Sequence, residues 1–427
     1  MKKRFVTALA AAAMLCSSLV PAAVAEEKTK LNILWWGSQT RHDQTIEMLH
    51  KFEELNPDIE VVVDYTNWAG YWTKLPAQVA GGLTPDVFQM DYGYLSQYAE
   101  NGVLAELDGY IADGSLDVSD VADTVLASGQ IDGKTYAIST GTNAPSLLYR
   151  KDLVEQAGVE LPINPTMSEY VEVAKAVYEA TGMRDMYTTM CTTVPLSFRL
   201  RNYGLSMYNE EGNGLGFDDP KYIVDMWELA LQAQEEGWGL GPGDATAVTT
   251  FDSLVVDVWA RCQSSNELQA YRDSTGKDLS MCMIPNVDDM TVSCSFLKPA
   301  MFWCVSSQSD AKEAAIRFIN FFTNDPECFK IVGTERAIPI SSKMREFVKP
   351  LLNETSQEIA DFVDFASQPG MTSPLTNPDP AAASSVSELL DQYSEQVRYG
   401  VVTDLEATAR QFMDEANALL AEAASDK

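Results

Sequence analysis

The stretch 31-LNILWWGSQTRHDQTIEMLHKFEELNPDIEVVVDY-65 decides the fold. Its first six residues, LNILWW, are an apolar run that reads as a buried strand. From position 43 the pattern changes: Ile46, Leu49, Phe52 and Leu55 recur on one helical face. Asn56-Pro57 stops that helix, and 59-IEVVVDY-65 reads as a second strand. Farther on, a short helix is predicted at about 71–80, where Trp72, Leu75 and Val79 share a core-facing stripe before Gly81-Gly82. Pro85 introduces the strand 86-DVFQMD-91, and another helical piece covers about 94–100. Strand, helix, strand, helix, strand in this order implies a mainly parallel sheet with helices on both faces.

The rest of the chain alternates less regularly. Two strands, 135-TYAIST-140 and 146-SLLYR-150, flank 141-GTNAP-145, whose Gly and Pro make it a hinge candidate. Thr166 and Glu169 have capping-box spacing ahead of Val173, Ala174 and Val177, so a helix opens there. The glycine-rich 212-GNGLGFDDP-220 does not follow a strand in a nucleotide-binding unit and reads as a loop. A helix is predicted over 221–236, then strands at 254-LVVDVW-259, 279-LSMCMI-284, 291-TVSCSFL-297 and 300-AMFWCVS-306. Amphipathic helices follow at 310–325 and 403–420, with a proline-dotted loop at 369–380.

At 427 residues the chain is long enough for two or three domains of about 100–200 residues each. Acidic residues outnumber basic ones 62 to 30, for a formal charge of −32, which disfavours nucleic acid and anionic membrane as partners. Lys2, Lys3 and Arg4, the apolar 5-FVTALAAAAML-15 and 23-AVA-25 form a secretory signal, so cleavage is expected after Ala25. That removes three positive charges and leaves −35. Lipid attachment at Cys16 wants a small residue before it and a Leu-like residue three before; Leu15 and Ala13 stand there, so lipidation is not expected. No other apolar run approaches the roughly 20 residues of a membrane span, so the mature protein is expected to be soluble and exported, periplasmic or extracellular. Six Cys remain after cleavage, none in a C-x-x-C pair. Export permits a disulfide among Cys282, Cys294 and Cys304; core thiols are the preferred reading.

The two histidines, His42 and His50, form no H-E-x-x-H, and there is no G-x-S-x-G. No metal or cofactor spacing appears. Carboxylate pairs could serve a glycoside hydrolase, but with 62 acids no particular pair stands out. The aromatics are more telling. In an open parallel sheet, ligands bind beyond the carboxyl ends of the strands. Those ends read 35-WWGSQTR-41, 65-YTNWAGYW-72 and 89-QMDYGY-94. Rings beside hydrogen-bonding groups match a sugar, with its C–H face and rim of hydroxyls. Trp35 and Trp72 are read as core, with Trp36 pointing away from Trp35. Trp68 lies in the loop with no core partner in register and is a site candidate, as is Tyr92 beside Asp91. Arg41 either binds a hydroxyl or is a solvated charge near a helix start.

Several stretches resemble the extracellular sugar-binding proteins of bacterial ABC importers, the group typified by maltodextrin-binding protein. They are 35-WWG-37, 41-RHDQTIEMLHKFEELNPDIEV-61, 71-YWTKLPAQVAGGLTPDVFQMD-91, 98-YAENGVLAELDGYI-111, 132-DGKTYAISTGTNAPSLLYRKDLVEQAGVELP-162 and 311-AKEAAIRFINFF-322. The resemblance implies an α/β, two-lobe periplasmic-binding-protein type II fold. Each lobe would be a mainly parallel sheet flanked by helices, with the ligand in the cleft between. It implies an N-lobe of 26–142 plus 300–343 and a C-lobe of 143–299 plus 344–427. It further implies Trp36, Ser38, Gln39 and Arg41 near the cleft, Asp91 and Tyr92 at the third strand end, Asn143 before the SLLYR strand, and Trp259 as a stacking tryptophan. Phe198 in 195-PLSFRL-200 is a weaker candidate, and Arg199 and Arg201 either read a uronate carboxylate or are surface charge. The implied function is capture of an oligosaccharide by a non-enzymatic monomer and delivery to membrane permease subunits. The alternatives are a secreted glycoside hydrolase and a binder of the same fold for a non-sugar solute such as a peptide or polyamine.

Overall fold

The structure, a computed structural model, describes residues 28–245, 258–377, 379–380 and 382–425. The signal segment 1–25 and residues 254–257 of an expected strand lie outside the described residues.

The opening stretch folds as β1 (Thr29–Trp36), α1 (Gln39–Leu55) and β2 (Ile59–Thr66); α2 (Trp68–Ala80), β3 (Val87–Met90) and α3 (Tyr92–Glu100) follow. β1 is parallel to β2 on one side and to β3 on the other. The strand Phe302–Val305 then returns antiparallel between β3 and Ala137–Ser139, which completes a five-stranded sheet in the order β2, β1, β3, Phe302–Val305, Ala137–Ser139. The period of two along β1 sends alternate side chains to opposite faces. Leu31, Ile33 and Trp35 pack with Met48, Leu49 and Phe52 of α1, and Phe52 meets Phe318 of the helix Lys312–Asn324 edge to face at 5.6 Å. Leu34 and Trp36 go the other way, onto Tyr71, Leu75 and Leu95. Both faces are covered, so both tryptophans are buried, on opposite sides.

α2 begins earlier than the periodicity suggests. Asn67 caps it, its side-chain oxygen accepting from the Gly70 amide, and this start points Tyr71 inward with Leu75. Trp72 is therefore half-buried rather than core, lying on Tyr94 with ring centroids 3.9 Å apart.

A second sheet has three strands, Leu279–Cys282, Pro145–Arg150 and Ala260–Ser264, with Pro145–Arg150 in the centre. Both pairings are antiparallel, so only the first sheet is mainly parallel. The partners of the central strand come from more than a hundred residues downstream and run back along it. The run 291–297 is not a strand. Asn202 and Asn286 hold it instead: Thr291 N donates to Asn202 O, Asn202 Nδ2 donates to Val292 O, and Cys294 N donates to Asn286 Oδ1. Side-chain amides that occupy the backbone groups leave none for a ladder. The helices Lys221–Glu235, Ala383–Arg398 and Leu405–Ser425 pack around Trp227, Leu390 and Phe412, and the Trp227 indole donates to Ser394 Oγ at 2.9 Å. All six cysteines among the described residues are free thiols, most of them buried.

The helix Met167–Thr181 carries the capping box expected of Thr166 and Glu169: Glu169 N donates to Thr166 Oγ1, and Thr166 N donates to Glu169 Oε2. Thr166→Ala is expected to lower stability by about 1 kcal/mol, read as a lower urea midpoint at unchanged slope; an unmoved midpoint would show that this helix does not need its cap.

Candidate ligand-binding cleft

Three crossings of the chain lie side by side. Thr142–Asn143 pairs antiparallel with Lys298–Pro299, and Thr142 N donates to Ile338 O at 2.8 Å. Ala300 N donates to Gly141 O, and Ala337 stands at φ 83°, in the left-handed region. The first two of these segments link a strand of the first sheet to a strand of the second, and Ile338 lies in the stretch that follows Phe302–Val305.

On one side of the crossings, the parallel register brings the carboxyl ends of β1, β2 and β3 to one edge, with Trp36 opposite Thr66. Each strand end runs directly into a capped helix. Ser38, Asn67 and Asp91 accept from the amides of Arg41, Gly70 and Gly93. Ser38 and Asp91 thus spend a side-chain oxygen on their own helices and shape the rim. Gln39 is exposed and donates to Asp43. Arg41 is neither a free charge nor an open donor: its Nε is shared between the two carboxylate oxygens of Glu335, at 2.8 and 2.9 Å. Trp36 is buried, its amide on Gln89 Oε1, and its ring meets Trp68 edge-on at 5.1 Å. Trp68 also contacts Trp72 edge-on, yet 46% of it remains exposed. Edge contacts leave an indole face open, and here that face lies at the strand ends.

Behind this edge His42 accepts from the Trp35 indole through Nδ1 at 3.1 Å. Burial, then the Arg336 and Arg41 charges, hold its pKa below the ordinary value. It is a neutral packing histidine.

On the other side of the crossings a cavity of about 930 Å³ opens among Ser197, Arg201, Tyr208, Phe296 and residues 373–377 and 379–380. Phe198 is buried and stacks on Phe296, nearly parallel to it at 6.2 Å, and Phe296 is the half-buried ring of the pair that lines the cavity. Neither Phe296 nor Tyr208 was legible as a site residue, since each sits in a run that reads as strand or loop. Arg201 is no surface charge: it is 6% exposed, its guanidinium 4.7 Å from the Phe296 ring. Arg199 is the one that ends in an ordinary ion pair, with Asp225 at 3.5 Å.

Tyr92 joins the two sides. Its hydroxyl donates to Thr376 O at 2.7 Å, and burial raises its pKa. Asn143, in the crossing, keeps a buried Oδ1 without a partner among the described residues. Such an orphan costs about 1–3 kcal/mol. Trp259 departs furthest from expectation. It is fully buried and stacked on Tyr170 at 5.4 Å, with Tyr170 and Tyr187 meeting edge to face beneath. Its ring faces are covered, because the strand begins only at Ala260 and turns the indole inward.

A family described as bacterial extracellular solute-binding protein matches residues 47–351. The chain belongs to that family. Membership places it among exported proteins, and no helix of the described residues is long and apolar enough to cross a membrane. The solute-binding fold extends over nearly the whole chain. An extracellular solute-binding protein of Alicyclobacillus acidocaldarius, 24% identical, superimposes with a TM-score of 0.83 over 93% of this chain and 100% of that one. In sequence, an arabinooligosaccharide-binding protein of Halalkalibacterium halodurans is 33% identical over 84 residues, 19% of this chain and 18% of that protein. A maltotriose-binding protein of Pyrococcus abyssi is 21% identical over 192 residues, 45% of this chain and 40% of that one. The chain spans about half the length, or less, of the curated relatives it matches.

Proposed function

We propose that this solute-binding protein captures an oligosaccharide in the cleft and delivers it to the permease subunits of an ABC importer, without performing chemistry on it. The observation that carries this reading is the half-exposed Trp68 at the ends of three parallel strands, backed by Trp36 and Trp72. A rigid indole face offers apolar area to the C–H face of a sugar at low entropic cost, and unsatisfied polar atoms such as Asn143 Oδ1 wait for its hydroxyls. Sequence relatives whose names specify arabino-oligosaccharide and maltotriose support the same substrate class.

In this reading the lobes are 26–142 with 300–343, and 143–299 with 344–427, and they close about the three adjacent crossings by hinge motion. Two facts support the division: the strands of the five-stranded sheet come from the first pair of segments, and those of the antiparallel sheet from the second. The protein acts as a monomer, and residues 1–25 direct its export and are removed.

A thermal-shift screen of the mature protein against oligosaccharides, monosaccharides, peptides and polyamines tests the reading. Ligand that binds only the folded state raises Tm by mass action. The expected result is a rise with a sugar of two or more residues, with no reducing ends released on prolonged incubation. A shift confined to peptides or amines would overturn the substrate class; steady release of reducing sugar would overturn the transport role.

A further inference from the structure

In a chain with 62 acids and 30 basic residues, arginines find carboxylates readily. Arg41 has Glu335, Arg150 has Asp152, Arg272 has Glu358, and Arg199, on the same helix as Arg201, has Asp225. Arg201 has none among the described residues. Its Nε donates to Cys294 O at 2.9 Å, and its Nη2 donates to Ser373 Oγ at 2.8 Å and to the carbonyls of Ser373 and Pro374. Nη1 has no hydrogen-bond acceptor among the described residues. Neutral carbonyls satisfy donors but leave the charge uncompensated, and burying a charge without a counter-ion costs several kcal/mol (order of magnitude). Burial duly pushes the Arg201 pKa down to about 10. Arg336 also lacks a carboxylate partner within ion-pair distance among the described residues, but it is sealed in the core over Trp303. Arg201 instead forms part of a cavity wall, beside the half-buried ring of Phe296 and close enough to feel Tyr92.

The carboxylates of this cavity are Glu210, Glu211 and Asp379, all exposed at the rim formed by 208–212 and 379–380. None of them is among the groups that perturb Arg201. The cavity is therefore polarised: one buried cation against the stacked phenyl wall, and acids at the opposite mouth. A polyanion would meet the cation and then be repelled. A wholly neutral sugar would leave the guanidinium without its counter-charge.

We propose that this cavity selects a short oligosaccharide carrying one carboxylate, a terminal uronate, with the acid on Arg201 and the neutral residues toward Glu210, Glu211 and Asp379. The proposal rests on the carbohydrate reading above and deepens it. The carboxylate takes Nη1, and the uronate ring lies along Phe296. A charge-assisted bond of this kind is about twice as strong as a neutral one. Tyr92, whose hydroxyl donates to Thr376 O of the cavity wall, already stands beside the occupied end.

The test is calorimetric titration of the mature protein with matched pairs: cellobiose against cellobiouronate, and xylotriose against the same chain bearing one glucuronate. Each acid is also supplied as its methyl ester, and trigalacturonate serves as the polyanion. In a pair that binds, the mono-acid should bind at least tenfold tighter than its neutral partner. The ester should fall back to the neutral level, and trigalacturonate should bind more weakly than the mono-acid. Arg201→Gln should remove the difference between acid and neutral. The ester arm alters only the ligand, so the test stands even if that variant does not fold. Neutral members binding as tightly as the acids, or esters binding as tightly as the free acids, would overturn the uronate assignment and leave the carbohydrate reading intact. Failure of every sugar to bind would remove both.

Discussion

Gly141→Ala is expected to lower both the stability of the protein and its affinity for ligand. Gly141 is where two of the crossings touch. A Cβ there would overlap the carbonyl oxygen of Arg336 and come within 3.1 Å of the Ala337 carbonyl carbon. These are backbone atoms, so no flexible side chain can move aside. The Gly141 carbonyl is fixed as well, since it accepts from Ala300 N at 2.9 Å and from Ser139 Oγ at 2.7 Å. The methyl can be accommodated only by spreading the first crossing from the third, where Ala337 already holds a left-handed backbone. Overpacking of this kind costs about 1–3 kcal/mol. The loss should appear as a lower urea midpoint. In the proposed lobe division the spread falls at the hinge, so ligand affinity should fall in parallel, measured calorimetrically. A variant of unchanged stability and affinity would show that the crossings are not rigidly apposed.

How much of this arrangement could be read from sequence depends on what each residue faces. The first sheet was legible because periodicity and stop signals agree: LNILWW, the helical stripe to Leu55 and Asn56-Pro57 all point to one answer. The reading failed where a side chain supplies the backbone's partner. Strand-like 291-TVSCSFL-297 becomes a loop because the side-chain amides of Asn202, some ninety residues back, and of nearby Asn286 take its backbone groups. The helices Glu354–Ala366 and Ala383–Arg398, one on each side of the loop 369–380, were not assigned. Their apolar stripes, Ile359, Phe362, Val363 and Ala366 in one and Val386, Leu390, Tyr393 and Val397 in the other, do recur at helical spacing, so both were legible in the sequence.

The site divides along the same line. The position of Trp68 and Tyr92 just past strand ends was legible, a matter of topology. Ser38 and Asp91 lie where expected, yet each spends a side-chain oxygen on capping its own helix. Arg41 lost its apparent freedom to Glu335, 294 residues away in sequence, a pairing that no local pattern encodes. The same distance effect hid Arg201. Surface charge was its ordinary reading, and only the fold buries it without an acid.

Trp68 and Trp259 should respond to truncation in opposite ways. Trp68 is nearly half exposed, and its ring is held by edge contacts to Trp36 and Trp72. Trp68→Ala removes the open face while Trp36 and Trp72 still close the core beneath it. Affinity for the sugar should drop at least tenfold, about 1.4 kcal/mol, because a few rigid aromatic contacts dominate binding energy. Trp68→Phe should recover part of it, since a smaller flat face remains, and the urea midpoint should move little in either variant. Trp259→Ala deletes a fully buried indole stacked on Tyr170. A cavity of that size costs about 3–5 kcal/mol, so the expected signature is lost stability, with weaker binding only as its consequence. The comparison is made by measuring Kd and urea midpoint on the same preparations. If Trp68→Ala binds sugar as the parent does, the strand-end aromatics are packing and the carbohydrate face lies elsewhere. If Trp259→Ala instead keeps its stability and loses binding, then the indole turns out of the core to meet the ligand, and the closed arrangement of Trp259 on Tyr170 belongs to the unliganded protein alone.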